Sequence, residues 1–163
     1  LLAQRHSDLH LRCVEAEVTD EPILGFQGEN RFLSNFWMAE QVIEDLGVRI
    51  TFNSNEQWYM VNKTLVPLEA TIILAAKTPG ECKRLGRSVT LRPDWEDVKD
   101  DVMLQGLRLK FGQHPDLAEK LVATGKRYLE ETNTWHDTYW GVCNGVGKNM
   151  LGIQLMRVRA ELS

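Results

Sequence analysis

The stretch from Ser54 to Lys63 constrains the fold most, because it places an acid and a base in what the pattern predicts to be a well-packed helix. Ser54 is followed three residues later by Gln57, which is the capping-box pattern. In that pattern the Ser hydroxyl accepts a hydrogen bond from the amide of the third residue, and the Gln side chain reaches back. A helix is therefore predicted to begin at Asn55.

The predicted helix is apolar around most of its circumference. Trp58, Val61 and Leu65 fall on one face, while Glu56 and Lys63 fall within about 20° of each other on the opposite face. Glu and Lys are seldom buried unless they are paired or functional. Seven residues span roughly 10 Å along a helix, so a ligand of sugar size fits between the two charges. The alternative is a solvated stripe that carries one acid and one base.

Length and composition exclude several classes of protein. A chain of 163 residues has the length of one domain, and its net charge of -4 argues against a surface that binds nucleic acid as a whole. No apolar run approaches the roughly 20 residues of a membrane span, and no secretory leader is visible. Three cysteines in no metal-binding spacing are typical of a reducing compartment. We expect a cytoplasmic protein without membrane contact, metal ion or cofactor.

The order of predicted elements indicates an α+β fold, a mainly helical single domain with a small antiparallel sheet. Residues 1–21 carry mixed charge with little periodicity and are expected to form an N-terminal extension to a domain of residues 22–163. A strand at residues 22–26 and a hairpin at residues 42–52 precede the helix that begins at Asn55. Pro67 is predicted to end that helical pattern. Further helices are predicted over 68–76, from the capping box Thr78-Pro79-Gly80-Glu81 to Gly86, from Asp94 through Phe111, from Pro115 to Thr124, and from Asn149 to Leu162.

A cluster of cations lies between residues 77 and 92 in this otherwise acidic chain. Its members are Lys77, Lys83, Arg84, Arg87 and Arg92, against the single acid Glu81. Such a cluster suits a phosphate, and a solvated helix face is the alternative. A second polar region, residues 135–149, combines aromatics, Asp137 and a Gly-rich loop. It lacks the spacing of a phosphate-binding loop, so nucleotide triphosphatase chemistry is rejected.

Several blocks of sequence resemble one known family. The blocks are Phe32-Leu33-Ser34-Asn35-Phe36, Ser54-x-Glu56-x-x-Tyr59 with Lys63, Lys83-x-Leu85-Gly86-Arg87, Trp95, Val102-Met103-x-x-Gly106-Leu107-x-x-Lys110-Phe111, Asp137-x-x-Trp140-Gly141, and Gly147-Lys148-Asn149-x-Leu151-Gly152 with Leu155-Met156. Together, over about residues 26–162, they are similar to the YbiA-like family, also called NADAR for its proposed link to NAD and ADP-ribose. The chain departs from close relatives in having Gln57 where His is usual and Val142-Cys143 where Gly-rich sequence is usual.

The resemblance implies a small α+β enzyme that cleaves N-glycosidic bonds to ribose. Two activities are associated with the family: removal of ADP-ribose from modified guanine, and hydrolysis of phosphoribosylamino intermediates of riboflavin synthesis. The resemblance makes Glu56, Trp95 and Asp137 functional. A module that binds ADP-ribose without cleaving it is a further alternative, although a buried acid favours catalysis. The expected partners are an ADP-ribose or phosphoribosyl substrate and ADP-ribosylated DNA or RNA, with the protein itself a monomer.

N-glycoside cleavage needs a negative charge near the anomeric carbon, an acid for the leaving nitrogen and a cation for phosphate. Glu56, Asp137 and the cation cluster offer these three, and Lys63 offers an alternative route through an imine with the opened ribose. A thiol nucleophile at Cys143 with His136 is disfavoured, because such partners are usually distant in sequence. The tryptophans at 95 and 140 either stack on a ring or belong to the core. Predicted substrate-binding residues are Asn35, Phe36, Tyr59, Arg87, Trp95, Trp140, Gly141, Lys148 and Asn149.

Overall fold

The computed structural model describes residues 20–163, so most of the predicted extension (residues 1–19), including Cys13, lies outside the described residues. The elements in chain order are β1 (Ile23–Leu24), a 3-10 helix (Gly28–Leu33), β2 (Met38–Asp45), β3 (Val48–Ser54), α1 (Asn55–Val61), α2 (Pro67–Leu74), α3 (Pro79–Gly86), α4 (Trp95–Gln113), α5 (Pro115–Ala123), β4 (Leu129–Glu130), β5 (Thr132–Asn133), β6 (Val142–Cys143) and α6 (Met150–Leu162). The predicted α+β class is confirmed.

The structure contains more strand pairs than the sequence indicated. β2 and β3 form the predicted antiparallel hairpin, with Asp45 opposite Val48 at its tip. Two further pairs, β1 with β4 and β5 with β6, are parallel. Each of these strands is only two residues long. Pairs this short, without a tight connecting turn, leave no local pattern in a sequence, so an antiparallel sheet alone was an incomplete prediction.

The start of α1 follows the predicted capping box with one shift. The Ser54 hydroxyl accepts a hydrogen bond from the amide of Gln57, as expected. The Gln57 side chain, however, accepts from the amide of Asn53 (2.7 Å), one residue before the cap. Its amide nitrogen donates to the carbonyls of Ile73 and Ala76. Gln57 thereby joins the start of α1 to the end of α2.

The end of α1 contradicts the prediction that the helix continues through Lys63. Both the backbone amide and the side-chain amide of Asn62 donate to the carbonyl of Trp58, which closes the last turn. Lys63 therefore lies in the turn after α1, and Leu65 is exposed rather than part of the core. The helical face that was predicted to carry both Glu56 and Lys63 does not exist.

The later helices occupy the predicted segments with small changes at their ends. Pro67 opens α2 instead of only ending the preceding helix, because proline fits the first turn of a helix. Thr78 caps α3 by accepting from the amide of Glu81, as predicted. Among residues 20–163, no helix combines the length and apolarity that crossing a membrane would require.

Helix α1 is central because α2, α3, α4 and the hairpin all pack against it. Its residues from Asn55 to Met60 are buried. Gly106 of α4 permits the close approach, since a Cβ at that position would lie 2.0 Å from Oδ1 of Asn55 and 2.4 Å from Cδ1 of Trp58. The first turn of α1, with its acid, is thereby held between α4 and the segment that follows the 3-10 helix.

Lys110 of α4 is fully buried and fixes that segment. Its Nζ donates to the carbonyls of Phe32 (2.6 Å) and Ser34 (2.8 Å). Burial lowers the pKa of Lys110 to about 7, since the charged form is poorly solvated there. The amine thus satisfies two carbonyls in the segment whose next residue, Asn35, contacts the start of α1.

Replacing Lys110 by Met should lower the free energy of unfolding by about 2–6 kcal/mol, because two carbonyls lose their donor at about 1–3 kcal/mol each. Denaturant unfolding measures the change. Lys126→Met, at an exposed position before β4, is the matched control and should change stability by less than about 0.5 kcal/mol. Equal effects of the two substitutions would show that the two bonds contribute nothing.

Candidate active site

A cavity of about 590 Å³ opens between the first turn of α1, the segment around the 3-10 helix and the segment 131–140. We call it the main cavity. Its volume lies within the range of small-molecule sites. Its lining combines aromatic side chains with three carboxyl groups and two cations: Phe26, Gln27, Arg31, Ser34, Asn35, Phe36, Glu56, Tyr59, Met60, Lys83, Met103, Glu131, Thr132, Trp135, Asp137, Trp140 and Leu151.

Glu56 is a buried acid in the first turn of α1. Burial raises the pKa of its carboxyl to about 7. The charges of Lys83 and Lys63 oppose that rise, and the charge of Asp137 adds to it. A carboxyl that is half protonated at neutral pH can donate or accept a proton, so its position and chemistry suit general acid or base catalysis.

Glu131 is a second acid of the cavity with a raised pKa, and no sequence pattern predicted its role. Burial raises its pKa to about 7, with a contribution from Asp137. Its Oε2 is buried without a hydrogen-bond partner among residues 20–163. The run from Glu130 to Thr134 is uniformly polar, so no hydrophobic period predicts which of its side chains face the cavity.

Two predicted substrate-binding residues instead position Glu131. Oδ1 of Asn149 accepts a hydrogen bond from the Glu131 amide (3.0 Å), while its Nδ2 donates to the Leu129 carbonyl (2.8 Å). Gly141 packs so closely that a Cβ there would lie 2.2 Å from the Glu131 carbonyl oxygen. Neither Asn149 nor Gly141 lines the main cavity.

Asp137 lies on a rigid turn. Its Oδ1 accepts hydrogen bonds from the amides of Tyr139 (3.1 Å) and Trp140 (2.9 Å). The buried side chain of Asn133 holds the backbone on both sides, donating to the Asp137 carbonyl (2.7 Å) and accepting from its amide (3.1 Å). The carboxylate therefore faces the cavity in a fixed orientation.

An aromatic cluster forms one wall of the main cavity. Nε1 of Trp140 donates to the hydroxyl of Tyr59 (3.2 Å), and the two rings meet edge to face. Burial holds the pKa of Tyr59 far above its ordinary value, so its phenol stays protonated. Trp95 does not line the cavity: it is buried behind Tyr59, with ring centroids 4.9 Å apart. Trp95 therefore supports the cavity wall through its contact with Tyr59.

Asn35 and Phe36 line the cavity beside Glu56. The Asn35 carbonyl accepts a hydrogen bond from the Glu56 amide (3.0 Å), and its side-chain oxygen accepts from Asn55 (2.8 Å). These bonds attach the segment after the 3-10 helix to α1. The Phe36 ring lies 5.4 Å from Nζ of Lys83, a cation–π distance.

The predicted cations divide into those inside and outside the cavity. Of the cluster between residues 77 and 92, only Lys83 lines it, together with Arg31 of the 3-10 helix. Nζ of Lys63 donates to the Gly86 carbonyl (2.8 Å). Burial lowers the pKa of Lys63 while the charge of Glu56 raises it, so Lys63 is close to Glu56 without lining the cavity.

Arg87 and Lys148 also stay outside. Arg87 is exposed, and its charge still contributes to the electrostatics of Glu56. Lys148 is exposed, with Nζ 5.0 Å from the centroid of the Tyr139 ring. Arg92 pairs with Asp94 at 2.6 Å, which accounts for one more cation of the predicted phosphate cluster.

Two other sequence features do not reach the cavity. Sγ of Cys143 lies 3.9 Å from Nδ1 of His136, but neither residue lines the main cavity. Gln57, the departure from the usual His, is occupied by its hydrogen bonds to α2 and to Asn53. Within residues 20–163, no group of three or more His, Cys, Asp or Glu side chains could hold a metal ion.

Residues 25–163 match the model of the NADAR domain. The chain belongs to the NADAR family. It is 39% identical over 116 residues to the N-glycosidase YbiA of Escherichia coli, covering 69% of this chain and 72% of that protein. It is 41% identical over 113 residues to the N-glycosidase Npun_R5314 of Nostoc punctiforme, covering 66% and 72%.

The structure agrees with this assignment. The NMR structure of E. coli YbiA superposes with a TM-score of 0.78 at 34% identity, covering 88% of this chain and 85% of that one. A riboflavin biosynthesis protein of Zea mays, the chloroplastic PYRR, is 33% identical over 135 residues, which cover 75% of this chain and 22% of that protein. This NADAR protein is accordingly a hydrolase that acts on N-glycosyl compounds.

Proposed function

We propose that this NADAR protein removes ADP-ribose from ADP-ribosylated guanine. The buried acid Glu56, with a pKa of about 7 in a cavity walled by aromatic rings, is the observation that carries the proposal. A guanine ring suits the wall of Tyr59 and Trp140. The cations Arg31 and Lys83 suit the phosphates of the ribosyl group.

Hydrolysis breaks the bond between the anomeric carbon and the guanine nitrogen. In the proposed step Glu56 donates its proton to the departing nitrogen, and the carboxylate of Asp137 stabilises the oxocarbenium-like state. Glu131, without a hydrogen-bond partner for its Oε2 among residues 20–163, accepts a proton from the water whose oxygen joins the anomeric carbon. The products are guanine in its nucleoside or nucleic acid and free ADP-ribose.

A second candidate substrate is a phosphoribosylamino-pyrimidine, because PYRR of Zea mays is named as a riboflavin biosynthesis protein. The same acids and cations serve that reaction, with a smaller base and a single phosphate. A module that binds ADP-ribose without hydrolysis is disfavoured. Two cavity acids whose pKa values are raised to about 7 would weaken an anion-binding site that performed no chemistry.

The two substrates can be compared directly. Purified protein is incubated with ADP-ribosylguanosine or with the phosphoribosylamino-pyrimidine, and the released base is quantified. We expect kcat/KM for ADP-ribosylguanosine to be higher by about 10-fold or more, because the longer ligand makes additional contacts. An equal or lower value would assign the protein to the riboflavin intermediate, and no release from either would leave a binding module.

A separate prediction concerns which lysine can react with an opened ribose. From the sequence, Lys63 was predicted either to hold the ribose or to form an imine with it, but Lys83 is the lysine whose side chain lines the cavity. If the reaction passes through an imine, borohydride added during turnover should reduce it to a stable amine on Lys83, detectable by mass spectrometry. Lys83→Ala should abolish the adduct and Lys63→Ala should retain it. An adduct on Lys63 would restore the sequence-based assignment, and no adduct would leave both lysines with electrostatic roles only.

A further inference from the structure

A second cavity of about 350 Å³ adjoins the main one. We propose that it binds an uncharged aromatic heterocycle at the far end of the substrate, beyond its phosphates. Its lining is Leu24, Gly25, Gln27, Asn30, Thr132, Asn133, Thr134 and Trp135. Gln27, Thr132 and Trp135 also line the main cavity, so the two form a continuous cleft. This inference rests on the proposed function and defines the substrate class as one with two rings.

Trp135 is the stacking surface. Its side chain is 53% exposed although it borders both cavities. An indole left open to solvent beside a cleft offers a flat face to a planar ring, and stacking of this kind tolerates any base. Trp135 also makes no side-chain hydrogen bond to residues 20–163. No hydrogen bond within the described domain therefore accounts for the position of this half-exposed indole.

Polar side chains at the second cavity can form hydrogen bonds with the edge of a heterocyclic ring. Within the described part of the chain, Gln27, Asn30 and Thr134 form no side-chain hydrogen bonds, so their amides and hydroxyl are available to a ligand. Asn133 differs, because its amide is fully engaged with the backbone of Asp137. Amides and hydroxyls match the donors and acceptors of a nucleobase.

The two halves of the cleft differ in the charge of their lining residues. No residue that lines the second cavity is ionisable, whereas Arg31 and Lys83 line the main cavity. An anionic group would lack a cationic partner in the second cavity, and its desolvation would be unfavourable. Phosphates are therefore expected beside Arg31 and Lys83, with the neutral heterocycle beyond them against Trp135.

Calorimetric titration with ADP-ribose and with ribose 5-phosphate tests the proposal without requiring turnover. Trp135→Ala should weaken ADP-ribose binding by about 10-fold or more and ribose 5-phosphate binding by less than about 2-fold, because only the longer ligand carries the second ring. Asn30→Ala, which lines the second cavity only, should weaken ADP-ribose binding by about 3-fold. Leu68→Ala on exposed α2 is the control and should change neither.

Three results would overturn the second ring site: equal losses for both ligands, no loss of ADP-ribose affinity in Trp135→Ala, or wild-type protein that binds the two ligands equally. Failure of the proposed function is distinguishable from these results. Wild-type protein that binds ADP-ribose through Trp135 but releases no guanine from ADP-ribosylguanosine would keep the second cavity and refute the reaction.

Discussion

Glu56→Gln should lower kcat by a factor of about 100 to 10,000, the usual contribution of a positioned proton donor. Gln has nearly the same shape as Glu and can remain in the first turn of α1, but it has no proton to give to a leaving nitrogen. Steady-state kinetics of guanosine release measure the loss. Glu119→Gln, an exposed position on α5, is the matched control and should keep wild-type turnover.

Stability measurements separate this chemical effect from misfolding. The pKa of Glu56 rises from 4.5 to about 7 on folding, so its stabilising contribution is complete below pH 4.5 and is lost as pH rises to about 7. Gln does not titrate. The free energy of unfolding of Glu56→Gln relative to wild type should therefore increase by about 3 kcal/mol between pH 4 and pH 8. A pH-independent difference together with normal turnover would remove Glu56 from the active site.

Asp137→Asn should lower kcat by about 100-fold with a smaller change in KM, because the charge that stabilises the oxocarbenium-like state is absent. The Asn oxygen can still accept the two backbone hydrogen bonds that Oδ1 of Asp137 accepts, so the turn should persist. The pH profile supplies a second readout. The charge of Asp137 raises the pKa values of Glu56 and Glu131, so its removal should move the profile of kcat/KM to lower pH.

Asp116→Asn, at an exposed position in the first turn of α5, controls for the loss of one negative charge from an acidic protein. It should leave both kcat and the pH profile unchanged. A wild-type kcat in Asp137→Asn, or a lowered kcat with an unshifted profile, would contradict the electrostatic role assigned to Asp137.

Local signals in the sequence predicted the scaffold that carries Glu56. The capping boxes at Ser54 and Thr78 gave the starts of α1 and α3, since a cap depends only on residues within one turn. The predicted burial of the helix that carries Glu56 indicated a functional position for this acid, and it lines the cavity. In these cases the physical cause lies within a few residues of the effect.

The remainder of the site depends on contacts between distant segments. Glu131 lines the cavity because Asn149 and Gly141 fix its backbone, and nothing in the polar run of residues 130–134 indicates those contacts. Lys83 lines the cavity while Lys63 bonds to Gly86, because α1 ends before Lys63 and releases it from the helical face. Periodicity extrapolated past a helix end assigns side chains to faces that do not exist.

Titration of the Glu56 carboxyl by NMR of protein labelled with carbon-13 glutamate tests the central claim most directly. The resonance that disappears in Glu56→Gln identifies the group, and its midpoint is compared with the pH dependence of kcat/KM. We predict a midpoint near pH 7 that coincides with one limb of the rate profile. A midpoint near the ordinary 4.5 of a solvated glutamate, with no corresponding change in rate, would contradict the assignment of Glu56 as the proton donor.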